Sequence, residues 1–319
     1  MSEHPPAGSH VRTDVSSTEE RNPATVDIDS WPAQRSIEAI LAEDARGVQA
    51  AVQVSDRLAE LVEAAHERLQ TGGRIHYFGA GASGRLVFVD ATESRPTFGL
   101  EDVFVWHFPG GAPALLDSAI DEEDAEAAGD REARALRPGD VAIGVTASGS
   151  TGYVRGALAA ARERGAFTAL ITNQAGAVLS HGVDLPIEAA TGAEALTGST
   201  RLKAGTATKV LINAFSTALM IRAGRTWSNL MTHMVATNAK LDERAVRVLA
   251  MATDARESEC REALSAAEGD VPVALTAMLA GVDAVAARDA LAATGSIRTA
   301  VAALGECDRS GTRCPSSVD

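Results

Sequence analysis

The chain has 319 residues, 45% of them hydrophobic, and a formal net charge of −14, enough for one large α/β domain and a smaller appendage. That charge argues against a general nucleic-acid surface, though local N–H groups and cations can still hold a small anion. Cys260, Cys307 and Cys314 form no CxxC pair and have no histidine at metal-ligand spacing, so reduced thiols are expected and no metal.

Residues 1–16 mix Pro, His, Ser and charge without an apolar run, as expected of a disordered leader and not of a signal peptide. No stretch reads as a membrane span, and the expected location is the cytoplasm. Ser16 to Pro32 is polar and turn-rich. From Ala33 to Leu69, apolar residues recur at helical spacing (Ile37, Ile40, Leu41, Val48, Val52, Leu58, Leu61, Val62), predicting two helices stopped by Thr71-Gly72-Gly73. Arg74 to Phe78 predicts a strand that runs into Gly79-Ala80-Gly81-Ala82-Ser83-Gly84, with a helix opening near Arg85. Val103–Phe108 predicts a second strand, and Leu115–Leu136 a helix with an acidic face. Val141–Val145 predicts a third strand, followed by Thr146-Ala147-Ser148-Gly149-Ser150-Thr151 and another helix. Phe167–Thr172 and Asp184–Ile187 predict two more strands.

Short apolar strands alternating with helices predict a doubly wound, mostly parallel α/β sheet. Residues 196–241 predict one or two long helices. The alanine-rich stretch from about 245 predicts a small helical bundle broken at Glu268-Gly269-Asp270-Val271-Pro272. The expected divisions are the leader (1–16), an N-terminal segment (17–49), the sheet domain (50–242), the bundle (243–304) and a polar tail (305–319). Within the bundle, Cys260–Leu275 resembles a UBA-like fold.

Gly79, Gly81 and Gly84 match G-x-G-x-x-G, but the second strand ends His107-Phe108-Pro109, without the acid that would hold a dinucleotide ribose. Arg85-Leu86 replaces the Lys-Ser/Thr of a triphosphate loop. What remains is bare backbone at Gly81, Ala82 and Gly84, the Ser83 hydroxyl and a helix N-terminus, a combination suited to a monophosphate. The second loop repeats it with Thr146, Ser148, Ser150 and Thr151 around Gly149. Both loops follow strand C-termini, where open α/β sheets place ligands.

Two such loops resemble the sugar isomerase (SIS) fold. Longer strings resemble the N-acetylmuramic acid 6-phosphate etherase family: Thr18-Glu19-Glu20-Arg21-Asn22-Pro23, Asp90-Ala91-Thr92-Glu93, Leu196-Thr197-Gly198-Ser199-Thr200-Arg201-Leu202-Lys203 and Ala236-Thr237-Asn238-Ala239-Lys240. The resemblance implies a metal- and cofactor-free lyase that releases D-lactate from a small phosphosugar. It also implies a homodimer whose sites are completed across the subunit interface. Such chemistry needs a base beside an acidic C–H and an acid for the departing oxygen. By match to the family motifs, Glu93 resembles the acid. The family's Glu-Asp pair aligns with Glu123-Asp124 in the run Asp121–Asp124, making Glu123 the expected base. Ser199, Thr200 and Lys203 offer an anion-binding helix start, Glu194 is a candidate acceptor for sugar hydroxyls, and Asn238 and Lys240 match the family as well.

Some positions depart from the family pattern: Ser94-Arg95 for Cys-Pro, Ser150 and Gly152 for Arg and Pro, and His233 for Asp. A cation at Arg95 would lower the pKa of Glu93 if the two approached. Two rival expectations are a non-catalytic phosphosugar-binding regulator and a SIS-fold isomerase or lyase of another sugar phosphate. His76 and His107 are expected to be satisfied strand residues.

Overall fold

Apolar runs flanked by glycine and polar turns form the five strands of a single parallel sheet in this computed structural model, which describes residues 16–117, 122–234 and 239–310, the side chains of 239–241 and 306–310 excepted. The leader up to residue 15, the tail from 311, Asp121, Asn238 and the Lys240 side chain lie outside the described residues. Two helices, α1 (Ala33–Gln53) and α2 (Ser55–Gln70), precede β1 (Ile75–Gly79). Then come α3 (Gly81–Phe98), β2 (Phe104–His107), α4 (Gly111–Leu116), α5 (Glu126–Ala133), β3 (Val141–Thr146), α6 (Gly152–Glu163), β4 (Phe167–Thr172), β5 (Leu185–Glu188) and α7 (Lys203–Arg222). The strand order is β2-β1-β3-β4-β5, every neighbour parallel.

The central strands β1 and β3 are buried at every residue, as strands covered by helices on both faces must be. Alternation along β1 sends Ile75 and Tyr77 to one side, where they pack with Leu61, Ile143, Ile171 and Phe215 under α1, α2, α3 and α7. Phe78 points the other way, to Leu136, Tyr153, Leu158 and Leu170 under α5 and α6. The chain reverses its direction of winding between β1 and β3, the crevice where ligands bind in such sheets.

Two expected helices come out differently. The stretch 115–136 is not one helix: α4 ends at Leu116, α5 starts at Glu126, and Glu122–Ala125 forms a turn closed by Ala125 N donating to Glu122 O (3.0 Å). In a continued helix Glu126 would stand three and four residues from Glu123 and Glu122, like charges that repel at that spacing, and the turn's carbonyls find partners elsewhere. The first loop's helix opens at Gly81 and not near Arg85. The stretch 196–241 yields α7, irregular chain over 223–234 and, from Ala239, the first residues of α8 (Ala239–Thr253). In the irregular chain Trp227, Leu230 and Met231 pack against the core shared by α8, α9 (Glu257–Ala266), α10 (Val271–Ala280), α11 (Ala284–Thr294) and α12 (Ile297–Ser310). Buried Leu249, Cys260, Leu275 and Ile297 centre that bundle. Contrary to the reading of the sequence, α7 is long and apolar enough to cross a bilayer. Its Leu211, Ile212, Phe215 and Leu219 are instead spent in the core beneath the sheet.

Candidate functional site

Both Gly loops open into one cavity of about 270 Å³ at the C-terminal ends of β1 and β3. Gly84 explains how the first loop turns so tightly. A Cβ there would stand 2.4 Å from Gly79 O and 2.5 Å from the Phe108 ring, so only glycine lets α3 start against β1. Ala80 precedes α3 and no side chain caps the helix. The N–H groups of Gly81, Ala82 and Ser83, all lining the cavity, are thereby left for a ligand.

The second loop supplies hydroxyls. Thr146 Oγ1 lies 2.7 Å from Thr151 Oγ1 and 3.5 Å from Ser148 Oγ, and Thr151 Oγ1 donates to Glu123 Oε1 at 3.3 Å. Glu123 is carried on the turn before α5, where its carbonyl accepts Tyr153 N at 3.0 Å. Its carboxylate faces the start of α3, with Oε2 3.7 Å from where a Gly81 Cβ would be. Gly152, one of the departures from the family pattern, is where this turn rests: a Cβ there would be 2.9 Å from Asp124 O.

Two further walls come from distant chain. Thr200 closes one side, and Thr18 and Glu19 close another. The N-terminal segment is tied down by Ser17 N and Oγ donating to Gln174 Oε1 (both 2.8 Å), Thr25 Oγ1 to Ala195 O (2.8 Å) and Gly198 N to Thr18 O (3.2 Å). Reading the sequence put Thr18 and Glu19 in a family string but not in the site. The lining includes two carboxylates, Glu19 and Glu123, and no Lys, Arg or His among the described residues. An anion here is held by backbone N–H groups and hydroxyls rather than by a cation.

Of the expected site residues, Gly81, Ala82, Ser83, Glu123, Thr146, Ser148, Thr151 and Thr200 meet in the cavity. Gly84, Gly149 and Ser150 shape the loops without lining it. Ser150 is exposed and pairs with Ser148 at 3.0 Å, and Ser199 stands one residue outside the lining. Glu194 and Lys203 are placed elsewhere. Both Glu194 oxygens accept N–H groups at the start of α7, from Lys203 (3.0 Å) and Ala204 (2.9 Å). Complete burial pushes the Glu194 carboxyl up, against the pull of those N–H groups and of Lys203. Lys203 Nζ is buried in an ion pair with Glu43 of α1 (2.6 Å) and donates to Ala193 O (2.6 Å). This helix end is sealed by its own chain.

Glu93, the expected acid, sits in the fourth turn of α3, exposed and outside the cavity. Ser94 is buried and bonds Ala91 O (2.8 Å), while Arg95 turns to Glu101 (2.5 Å). His76 and His107 contact each other at 3.0 Å (Nδ1 to Nε2) away from the cavity. Burial and the neighbouring imidazole hold His76 down at about 4.

Residues 53–162, which include both loops, Glu93 and Glu123, match the family model of the glucokinase regulatory protein N-terminal SIS domain. Over 263 residues the chain is 50% identical to an N-acetylmuramic acid 6-phosphate etherase from Thermobifida fusca, covering 82% of this chain and 86% of that protein. The chain belongs to the N-acetylmuramic acid 6-phosphate etherase family. A second etherase, from Rubrobacter xylanophilus, is 42% identical over 91% of this chain and 96% of its own length. Among solved structures, a phosphoheptose isomerase from Neisseria gonorrhoeae is similar at 22% identity and a TM-score of 0.47, covering 59% of this chain and 98% of that one. The etherase matches extend beyond the sheet domain, so the helical bundle is part of what this chain shares with the family.

Proposed function

We propose that this chain is a carbon–oxygen lyase that cleaves the D-lactyl ether of N-acetylmuramic acid 6-phosphate, giving N-acetylglucosamine 6-phosphate and D-lactate in cytoplasmic recycling of cell-wall amino sugars. The reading rests on the two etherases similar along most of the chain and on one observation of the site. A carboxylate, Glu123, faces an uncapped helix start in a cavity with no cation among its described lining. The phosphate takes the N–H groups of Gly81–Ser83 and the hydroxyls of Thr146, Ser148 and Thr151. With the sugar open and its aldehyde at C1, Glu123 removes the C2 proton. The C2–C3 double bond forms as the C3–O bond breaks, and Glu93 supplies the proton for the lactyl oxygen. Water then adds across the double bond, hydroxyl to C3 and proton to C2, which balances the reaction.

The distance between the two carboxylates implies an assembly. Glu93 is twelve residues along α3 from Gly81, roughly 18 Å of helix rise, whereas Glu123 is beside Gly81. Groups acting on adjacent C2 and O3 atoms must stand within a few ångströms of them. Glu93 therefore serves the cavity of a second copy, in a homodimer. The apolar stripe on α1 (Ile37, Leu41, Val48 and Val52, 38–61% exposed) is the surface such a copy would cover. Incubation with N-acetylmuramic acid 6-phosphate in deuterated water should release D-lactate and leave deuterium at C2. Neither product appearing would refute the lyase reading.

A further inference from the structure

A second concavity, about 500 Å³, runs between α3 and α7 and adjoins the phosphate cavity. Ala82 lines both, and the step from Thr200 to Arg201 passes from one to the other. Its wall is apolar at Leu86, Val89 and Val210, and three cations border it: Arg85, Arg201 and Lys209. Arg85 is already engaged, donating to Leu115 O and Ala114 O (3.1 Å each) with its guanidinium over the Phe108 ring. Arg201 and Lys209 are exposed and make no hydrogen bond or ion pair among the described residues. The Lys209 charge does reach Asp90, where it pulls against the burial that pushes that carboxyl up. In a chain of net charge −14, two exposed cations with no hydrogen bond or ion pair among the described residues, beside an apolar wall, still invite a small anion that carries an alkyl group.

The phosphate does not need these cations, because its own cavity provides N–H groups and hydroxyls. The proposed substrate has a second anion, the carboxylate of the lactyl arm, attached to a carbon that also bears a methyl. We propose that Arg201 and Lys209 form the lactyl carboxylate subsite, with the methyl against Leu86, Val89 and Val210. This rests on the lyase reading and deepens it: the site reads two anions by two means, helix N–H groups and hydroxyls for the phosphate and side-chain cations for the carboxylate. Arg201, not Lys203, is then the cation through which the 196–203 segment serves the ligand, since Lys203 is committed to Glu43.

The test compares two ligands that differ only in the arm. In a Glu123→Gln background, which prevents turnover, calorimetry gives the affinities for N-acetylmuramic acid 6-phosphate and for N-acetylglucosamine 6-phosphate. Arg201→Ala and Lys209→Met should each weaken the first by about 10- to 100-fold, the range for losing one charge-assisted hydrogen bond, and leave the second within about 2-fold. Arg201→Lys should fall between wild type and Arg201→Ala, because it keeps the charge and loses the fork. Equal weakening of both ligands, or of neither, overturns the subsite. D-lactate release by the wild-type protein is measured alongside. Its absence would count against the lyase reading, while the paired affinities still decide the subsite.

Discussion

The first and fourth turns of α3 belong to one helix and offer opposite chemistry. At the first turn the N–H groups are uncapped, Glu123 faces them, and Thr18, Glu19 and Thr200 close the space. At the fourth turn Glu93 stands exposed, its neighbour Arg95 paired to Glu101 and Ser94 turned inward, and it lines neither the phosphate cavity nor the concavity between α3 and α7. On the proposed reading, a single copy builds the phosphate end and the base, while the acid is presented outward for another copy. Helix starts differ in the same instructive way. The start of α7 cannot bind an anion, because Glu194 already takes its first N–H groups.

Substitution of the two carboxylates should give the largest effects and separate the two turns. Glu123→Gln should lower kcat for D-lactate release by about 10²- to 10⁴-fold, with KM little changed, and should stop deuterium entering C2. Glu93→Gln should lose lactate release to a similar extent yet keep C2 exchange. Loss of exchange in both variants would remove the division of roles.

Next in size is a loss of stability at the sealed helix. Lys203→Met leaves Glu43 buried with only Arg46 beside it. It should cost about 3–5 kcal/mol of unfolding free energy, read by urea titration, with the KM of the folded fraction unchanged. Normal stability with a raised KM would make Lys203 a ligand residue after all.

A pH effect should be smaller and arise behind the first turn, on β1. Folded His76 takes a proton only near 4, the unfolded side chain near 6.5. Between those values the unfolded chain binds more protons, so stability is full above about 6.5 and falls as pH drops toward 4, by up to about 3 kcal/mol. His233, also held at about 4 by burial, adds in the same direction. Urea midpoints at pH 7 and pH 4.5 measure the fall, which His76→Asn should reduce. A flat profile in the wild type would contradict the buried neutral imidazole.

Much of the fold was legible because central parallel strands read as unbroken apolar runs, and the two hydroxyl-bearing Gly loops announced the crevice between β1 and β3. The misread helices have physical causes. Trp227, Leu230, Met231 and Met234 imitate helical spacing, yet Trp227 and Leu230 pair as an antiparallel bridge. Glu122–Asp124 alternate with nothing apolar, so their turn is set by contacts with α6. The site was legible in its loops but not in its polar choices. Glu194 and Lys203 have the chemistry of ligand groups, and only the approach of α1 and the start of α7 shows that they satisfy the protein itself. Thr18 and Glu19 lie far ahead of β1 and reach the cavity through bonds to Gln174 and Gly198 that no local pattern encodes.

Mixing two inactive proteins tests most directly whether the carboxylates come from different copies. Glu93→Gln and Glu123→Gln proteins are dissociated, combined in equal amounts and allowed to reassociate into the proposed dimers, and D-lactate release is measured. If each site joins Glu123 of one copy to Glu93 of the other, half of the dimers are mixed and each has one intact site. Activity should then return to about a quarter of wild type, as two-fold symmetry requires. If both carboxylates act within one copy, every site in the mixture lacks one of them, and the mixture stays as inactive as its parts.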